Sequence, residues 1–351
     1  MDHRENHNAS PPASPKPGLA QRFVRGLIRT LRSFCIILGV LFVLGLLGSI
    51  LAERLLTGSS AHADRGVDEF PDMRTVWSYG EGNVVVARIG VRGPIIRAQM
   101  GGLFSLAQDP VTSALRMIRA AQNDPSIKAI ILEIDSPGGG ITASDVIYKA
   151  LMDFRASDSD RRIVALFEDV AASGGYYIAT AANHIVAHPT TITGSIGVLI
   201  SSLNLKEFGD KYGIRDTTIK SGANKDMLNP WADLTDEQRE LLQAMIDQMH
   251  TRFVDLVALG RGLEESKVRE IADGRILSAQ EALRHKLIDE IGYWSDAMAS
   301  ARKLLGADAI RVVRYEQRFS LSSFLKGFQR LRVAIDPRFW PRSRMMYMWS
   351  L

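Results

Sequence analysis

The sequence predicts an α/β fold with parallel strand pairing. Strand-like and helix-like patterns alternate from about residue 83 onward. Two continuous apolar runs, AIILEI at 129–134 and RIVALF at 162–167, have the pattern of strands buried on both faces. Glycine-rich turns lie close behind buried strands, where parallel sheets carry their sites.

The bulk composition narrows the field. At 351 residues the chain has room for one large domain or two small ones once tails and any membrane segment are set aside. With 46% hydrophobic and 23% charged residues it sits near the globular average, so a folded core is expected. The formal net charge is +4 and the arginines crowd toward the two ends, which gives nucleic-acid binding little support. Cys35 is the sole cysteine, which excludes an intrachain disulfide framework and a cysteine metal site.

In chain order, residues before Lys16 are polar and Pro-rich. Arg22, Arg25, Arg29 and Arg32 then precede FCIILGVLFVLGLLGSILA, Phe34 to Ala52, a run without a charge. A run of about 19 residues just spans a bilayer core as a helix. The basic flank at 1–33 is expected to stay in the cytoplasm, with the rest of the chain on the outer side of the membrane. A cleaved signal peptide is the alternative, because Ala61-His62-Ala63 has a small-x-small form. That site lies well past the apolar run, and the run exceeds a signal peptide's core, so a retained anchor is expected. Residues 53–80 are polar and irregular and read as a tether, 81–305 as the main domain, and 306–351 as an extension.

Within the domain, VVVARIGVRGPII at 84–96 is rich in β-branched residues. Helical patterns run from about Thr112 to Asn123 and from about Thr142 to Phe154. Thr235-Asp-Glu-Gln238 is a capping box, and Leu242, Met245, Ile246, Met249, Phe253, Leu256 and Val257 follow at helical spacing. The stripe predicts a long amphipathic helix whose apolar face meets the core or another subunit. Ser278-Ala-Gln-Glu281 is a second capping box. The C-terminal stretch from Phe319 to Leu351 mixes arginines with aromatic and apolar residues, so it is expected to pack on the domain, a neighbouring subunit or the membrane surface.

Two turns carry chemistry. DSPGGG at 135–140 and ASGGYY at 172–177 place glycines where a backbone can approach a ligand and present N–H groups unobstructed. Neither matches a phosphate-binding fingerprint. Ser173 stands where a strand gives way to a helix, a position that exposes Oγ beside the next N–H, from Gly174. The same serine could instead be a helix N-cap. His184 and His188 are four apart, but Pro189 and the intervening IVA suggest strand and loop, so structural histidines are expected there. Lysine remains as a base: KSGANKD at 220–226 holds Lys220 and Lys225 in a loop of small residues. An ordinary lysine is charged at pH 7, so a lysine base needs burial.

DSPGGG at 135–140, ASGGYYIA at 172–179, TGSIGV at 193–198, KSGANKD at 220–226 and ADGRILSAQEA at 272–282 together resemble the bacterial signal peptide peptidase A family, in its short single-copy form. The likeness covers most of residues 81–295. It implies a Clp-protease and crotonase-like spiral of strand-strand-helix units and a membrane-bound serine endopeptidase. By that likeness Ser173 is the nucleophile, Lys225 the general base, and Ser195 holds the lysine amine. Gly174 with Gly138 or Gly139 supplies the oxyanion N–H groups; Lys220 is the alternative base. The resemblance also implies apolar peptide substrates such as remnant signal peptides, a homo-oligomeric ring with active sites shared between protomers, residence in the cytoplasmic membrane, and no cofactor. A crotonase-like acyl-CoA enzyme is the rival on the same fold, but that class uses carboxylates and is soluble.

Overall fold

The aliphatic and β-branched runs form strands in a computed structural model that describes residues 32–33, 36–37, 39–40, 73–97, 109–317 and 346–348. The chain divides into two compact units, Met1–Asp64 and Arg65–Leu351. In the first, the described residues are helical and exposed, and the anchor expected at 34–52 lies otherwise outside them. Among the described residues no helix is long and apolar enough to cross a membrane.

The second unit opens with β1 (Met73–Tyr79) and β2 (Val84–Arg92), then α1 (Pro110–Asn123), β3 (Ile127–Ser136), β4 (Gly138–Gly140) and α2 (Ile141–Ala156). After β5 (Arg162–Ala172) come α3 (Gly174–Ala179), β6 (His184–Ala187), β7 (Ile192–Gly194), α4 (Lys206–Tyr212) and the long α5 (Asp236–Arg261). The chain continues through α6 (Glu265–Arg269), β8 (Ile276–Ser278), α7 (Ala279–Arg284), β9 (Glu290–Ile291), α8 (Trp294–Leu305) and β10 (Ile310–Gln317); β11 (Met346–Met348) comes last. This is a mixed α/β architecture around one large sheet, ordered β1-β10-β2-β3-β5-β6-β9, with β7 on β5 and β8 on β7. Its centre, β10-β2-β3-β5-β6-β9, is parallel, as expected.

Alternation across the pleat explains why the central strands are apolar throughout. Ile130, Leu132 and Ile134 of β3 face a core shared with Ile118 of α1 and Ile147, Leu151 and Phe154 of α2. Ala129 and Ile131 point the other way, onto Ala297, Met298 and Ala301 of α8. Each fully buried Ile, Leu or Phe contributes about 1.5–3 kcal/mol, so sandwiching the sheet supplies most of the folding drive.

The domain is wider than its composition suggests. Residues 73–79, grouped with the tether, form β1, which pairs antiparallel with β10, a strand built from the expected extension. As an edge strand β1 leaves much of itself in water, including Trp77 and Tyr79, and so its polar content matches a linker's.

Helix α5 starts at the expected capping box, Thr235 Oγ1 accepting from Gln238 N and Gln238 Oε1 accepting from Thr235 N. Its apolar stripe serves two environments. Phe253, Val254 and Val257 are fully buried, whereas Leu241 and Met245 nearer the start are exposed. The start of α5 belongs to an arm, residues 199–248, whose side-chain and turn hydrogen bonds among the described residues stay within the arm. Examples are Leu205 N to Pro230 O and Ser202 Oγ to Leu228 O.

Candidate active site

Strand β5 delivers the chain to Ser173, and the turn into α3 is sharp. Ser173 takes φ 52° and ψ −116°, a region a side chain avoids at a cost of about 1–3 kcal/mol. Two backbone hydrogen bonds hold the strain: Ser173 N donates to Gly194 O and Tyr177 N donates to Ser173 O, both at 2.8 Å. The N-cap alternative finds no support, because the Ser173 side chain makes no capping hydrogen bond. The residue is 1% exposed, and among the described residues its hydroxyl has no hydrogen-bond partner.

The first glycine turn becomes β4, directly against this elbow. A Cβ added to Gly174 would stand 2.4 Å from Ser144 Oγ, 3.1 Å from Gly139 N and 3.2 Å from Gly138 Cα. The two turns therefore meet at van der Waals range, and only glycine permits it. Gly138 has φ 98°, and a Cβ on Gly139 would lie 2.2 Å from Ile95 O. Beginning α3 at Gly174 leaves that N–H without an intrahelical acceptor. The Gly174 N–H can therefore stand as a donor beside the serine hydroxyl, whereas the Gly138 N–H donates to Ser136 Oγ at 3.1 Å.

Ser195 stands on the other flank. Strand β7 pairs with β5 so that Gly194 lies opposite Ala172, and Ser195 follows with φ 51°. Its N–H donates to Arg275 O at 2.7 Å. Arg275 is braced by Asp273, whose carboxyl is pulled down to about 2 chiefly by the Arg275 guanidinium. A depressed carboxylate gives stability that is present above its unfolded value and lost only as pH falls toward about 2.

The edge of β4 is occupied. Strand β11 pairs with it antiparallel, with Met346 opposite Gly140, Tyr347 opposite Gly139 and Met348 opposite Gly138. Of the C-terminal stretch expected to pack on the domain, a neighbouring subunit or the membrane, residues 346–348 lie on the domain and the rest falls outside the described residues.

The lysines are elsewhere. Lys220 is engaged by Asp226 at 2.7 and 2.9 Å. Lys225 is exposed, and no hydrogen bond or ion pair joins it to Ser173, Ser195 or any other described side chain. One chain thus assembles Ser173, Gly174, Gly138, Gly139 and Ser195 and leaves Lys225 on the arm. His184 lies 3.4 Å from Glu290 and 3.9 Å from Asp289, and no cluster of three metal-ligating side chains occurs among the described residues. Sequence reasoning passed over Ser144, buried four residues after Gly140, and the Asp145–Tyr177–Arg252 cluster. Nothing local marks either.

Residues 155–308 match the family model for Peptidase family S49. The chain is 37% identical over 237 residues to a putative signal peptide peptidase SppA of Enterococcus faecium, covering 68% of each. The chain belongs to peptidase family S49. This S49 chain is also 38% identical to a putative protease of Synechocystis sp., over 64% of its own length and 79% of the relative's. It is 35% identical to Protease 4 of Salmonella typhi over 53% of itself but only 30% of that longer protein. Its activity follows: it is a serine peptidase, a hydrolase of peptide bonds.

Proposed function

We propose that this S49 peptidase is a membrane-anchored endopeptidase with a Ser173/Lys225 dyad, held in the cytoplasmic membrane by residues 34–52 with its catalytic domain on the outer side. The observation that carries the site assignment is the pairing of β4 with an extended antiparallel segment beside Ser173. A sheet edge next to a nucleophile holds a peptide through main-chain hydrogen bonds whatever its side chains. That suits remnant signal peptides and other apolar chains; the Enterococcus faecium relative's name specifies signal peptides.

In the mechanism, Ser173 Oγ attacks the scissile carbonyl carbon while neutral Lys225 takes its proton. The carbonyl oxygen becomes an oxyanion facing the N–H groups of Gly174 and of Gly138 or Gly139. Collapse breaks the C–N bond, and the lysine returns the proton to the departing amine. Water, deprotonated by the same lysine, then releases the acyl group. Ser195 Oγ orients the amine. A preorganised oxyanion donor contributes about 2.7–4 kcal/mol to the barrier reduction.

Lys225 needs a buried environment to act as a neutral base, and a second copy of the chain would supply it. The arm exposes Leu203 at 69% and Ile219 at 97%, together with Phe208, Tyr212 and Ile214. Such residues are at home in a heterologous interface that repeats around a ring. Seating that interface would bury the lysine and bring it to the neighbour's serine.

The test is labelling with a phosphonofluoridate. Intact protein should take up the probe at Ser173 and the Ser173→Ala variant should take up none; equal labelling of both refutes the assignment. A second expectation concerns β11. If the β4 edge is the peptide site, a tail bound about nine-tenths of the time raises the apparent KM about tenfold. A chain ending at Gln317 should therefore show a lower KM for a short apolar peptide at unchanged kcat. An unaltered KM places peptide binding elsewhere.

A further inference from the structure

Helix α5 is anchored at one end only. Toward its C-terminus, Phe253 packs against Tyr177 of α3 with ring centroids 5.0 Å apart and the rings tilted by 54°. Gly260 lies so close that a Cβ would stand 2.4 Å from Thr180 O. Just before that root sit Met249, packed on the core, His250, whose Nε2 lies 2.7 Å from Ala272 O, and Arg252. Arg252 Nη2 donates to Asp145 Oδ1 at 2.5 Å, and its Nε reaches Asp145 Oδ1 at 3.2 Å and Tyr177 Oη at 3.1 Å. Tyr177 Oη donates in turn to Asp145 Oδ1 at 2.7 Å.

The placement of these partners is the informative part. Asp145 lies on α2, the helix that continues directly from the glycine strand β4. Tyr177 lies on α3, the helix that begins after Ser173. Tyr177 also meets Tyr148 of α2 edge-on at 5.7 Å. One guanidinium thus joins the element behind the nucleophile, the element behind the glycine donors and the helix whose far end bears the lysine arm.

We propose that Arg252 is a positioning residue, which through Asp145 and Tyr177 sets the angle at which α5 leaves the domain and so the place that Lys225 reaches. The inference rests on the reading of Lys225 as the base. Leverage gives it force. Asp236 is 16 residues before Arg252, about 24 Å along the helix, so a tilt of about 5° at the root moves the start of α5 about 2 Å. A misplacement of about 1 Å in a catalytic group can cost about 100-fold in rate. A surface ion pair would otherwise matter little.

The experiment uses the full-length chain in detergent and reads kcat, KM, melting temperature and arm position. Arg252→Gln is expected to lower kcat about 10- to 100-fold with KM within about twofold. Arg252→Lys should recover part of the loss, because it keeps the charge but not the fork. Asp145→Asn combined with Arg252→Gln should lose no more than the worse single variant, as members of one unit do. Arm position is read as the distance between spin labels attached through Ser221→Cys and Lys149→Cys in a Cys35→Ser background, diluted into unlabelled protein. Arg252→Gln should shift or broaden it. Unchanged kcat, or a fall in kcat that tracks melting temperature with the distance distribution unaltered, overturns the proposal. If Lys225→Ala is active, the base assignment fails instead, and the distance measurement still judges whether Arg252 places the arm.

Discussion

Replacing Ser173 by alanine is expected to remove peptide hydrolysis, a loss of roughly 10⁴-fold or more given that such units act as a whole. Lys225→Ala should cost about 10²- to 10⁴-fold, the usual range for a general base. Lys220→Ala should leave a readily measured rate, because the Lys220 amine is already held by Asp226. The assay is hydrolysis of an apolar fluorogenic peptide by each variant. Inactive Lys220→Ala beside active Lys225→Ala would reverse the assignment. Co-expression takes the comparison further. Because one chain leaves Lys225 exposed and unpaired with Ser173, mixed assemblies of Ser173→Ala and Lys225→Ala should regain part of the activity. In a shared-site ring some interfaces pair an intact serine with an intact lysine. No recovery in assemblies proven to contain both variants leaves a dyad within one chain.

Gly174→Ala is the second substitution with a large expected effect. Its methyl would stand 2.4 Å from Ser144 Oγ and 3.1 Å from Gly139 N. Ser144 is fully buried and donates to Gly140 O at 3.1 Å, so it cannot simply swing aside. Relief by backbone movement separates the elbow from β4, and losing one oxyanion donor costs about 10²- to 10³-fold in kcat. Adding Ser144→Ala removes the nearest clash and should restore part of that rate, while the Gly139 contact prevents full recovery. The measurement is kcat for both variants, with phosphonofluoridate uptake as a check on Ser173. A Gly174→Ala enzyme with normal kcat would mean that this glycine does not stand at the reacting centre.

Much of this was legible in the residues because the signals are local. The run AIILEI is apolar without alternation, which fits a strand covered on both faces, and β3 is so covered. Thr235 and Ser278 each begin a helix through a capping box whose partners lie three residues apart. The glycines of 138–140 and 174–175 were expected to let the backbone approach a ligand; in the structure Gly139, Gly174 and Gly175 instead let one backbone approach another, with added Cβ atoms falling close to Ile95 O, Gly139 N and Ser136 O. The limits of the domain were less legible. An edge strand such as β1 is half in water, so it shares the composition of a tether.

By itself the sequence determined the α/β class, the helix starts, the place of the two glycine-rich turns, and membership of a serine peptidase family through several motifs in order. Each depends on residues within a few positions of one another. Tertiary structure alone decided that Gly174 rests on Gly139, that β11 lies along β4 some 200 residues away in sequence (346 − 140 = 206), and that Arg252 meets Asp145 and Tyr177. It also set Lys225 out on an arm whose side-chain hydrogen bonds, among the described residues, stay within residues 199–248. Contacts between distant segments depend on how the sheet stacks its layers, and no local pattern encodes which side chains that stacking brings face to face.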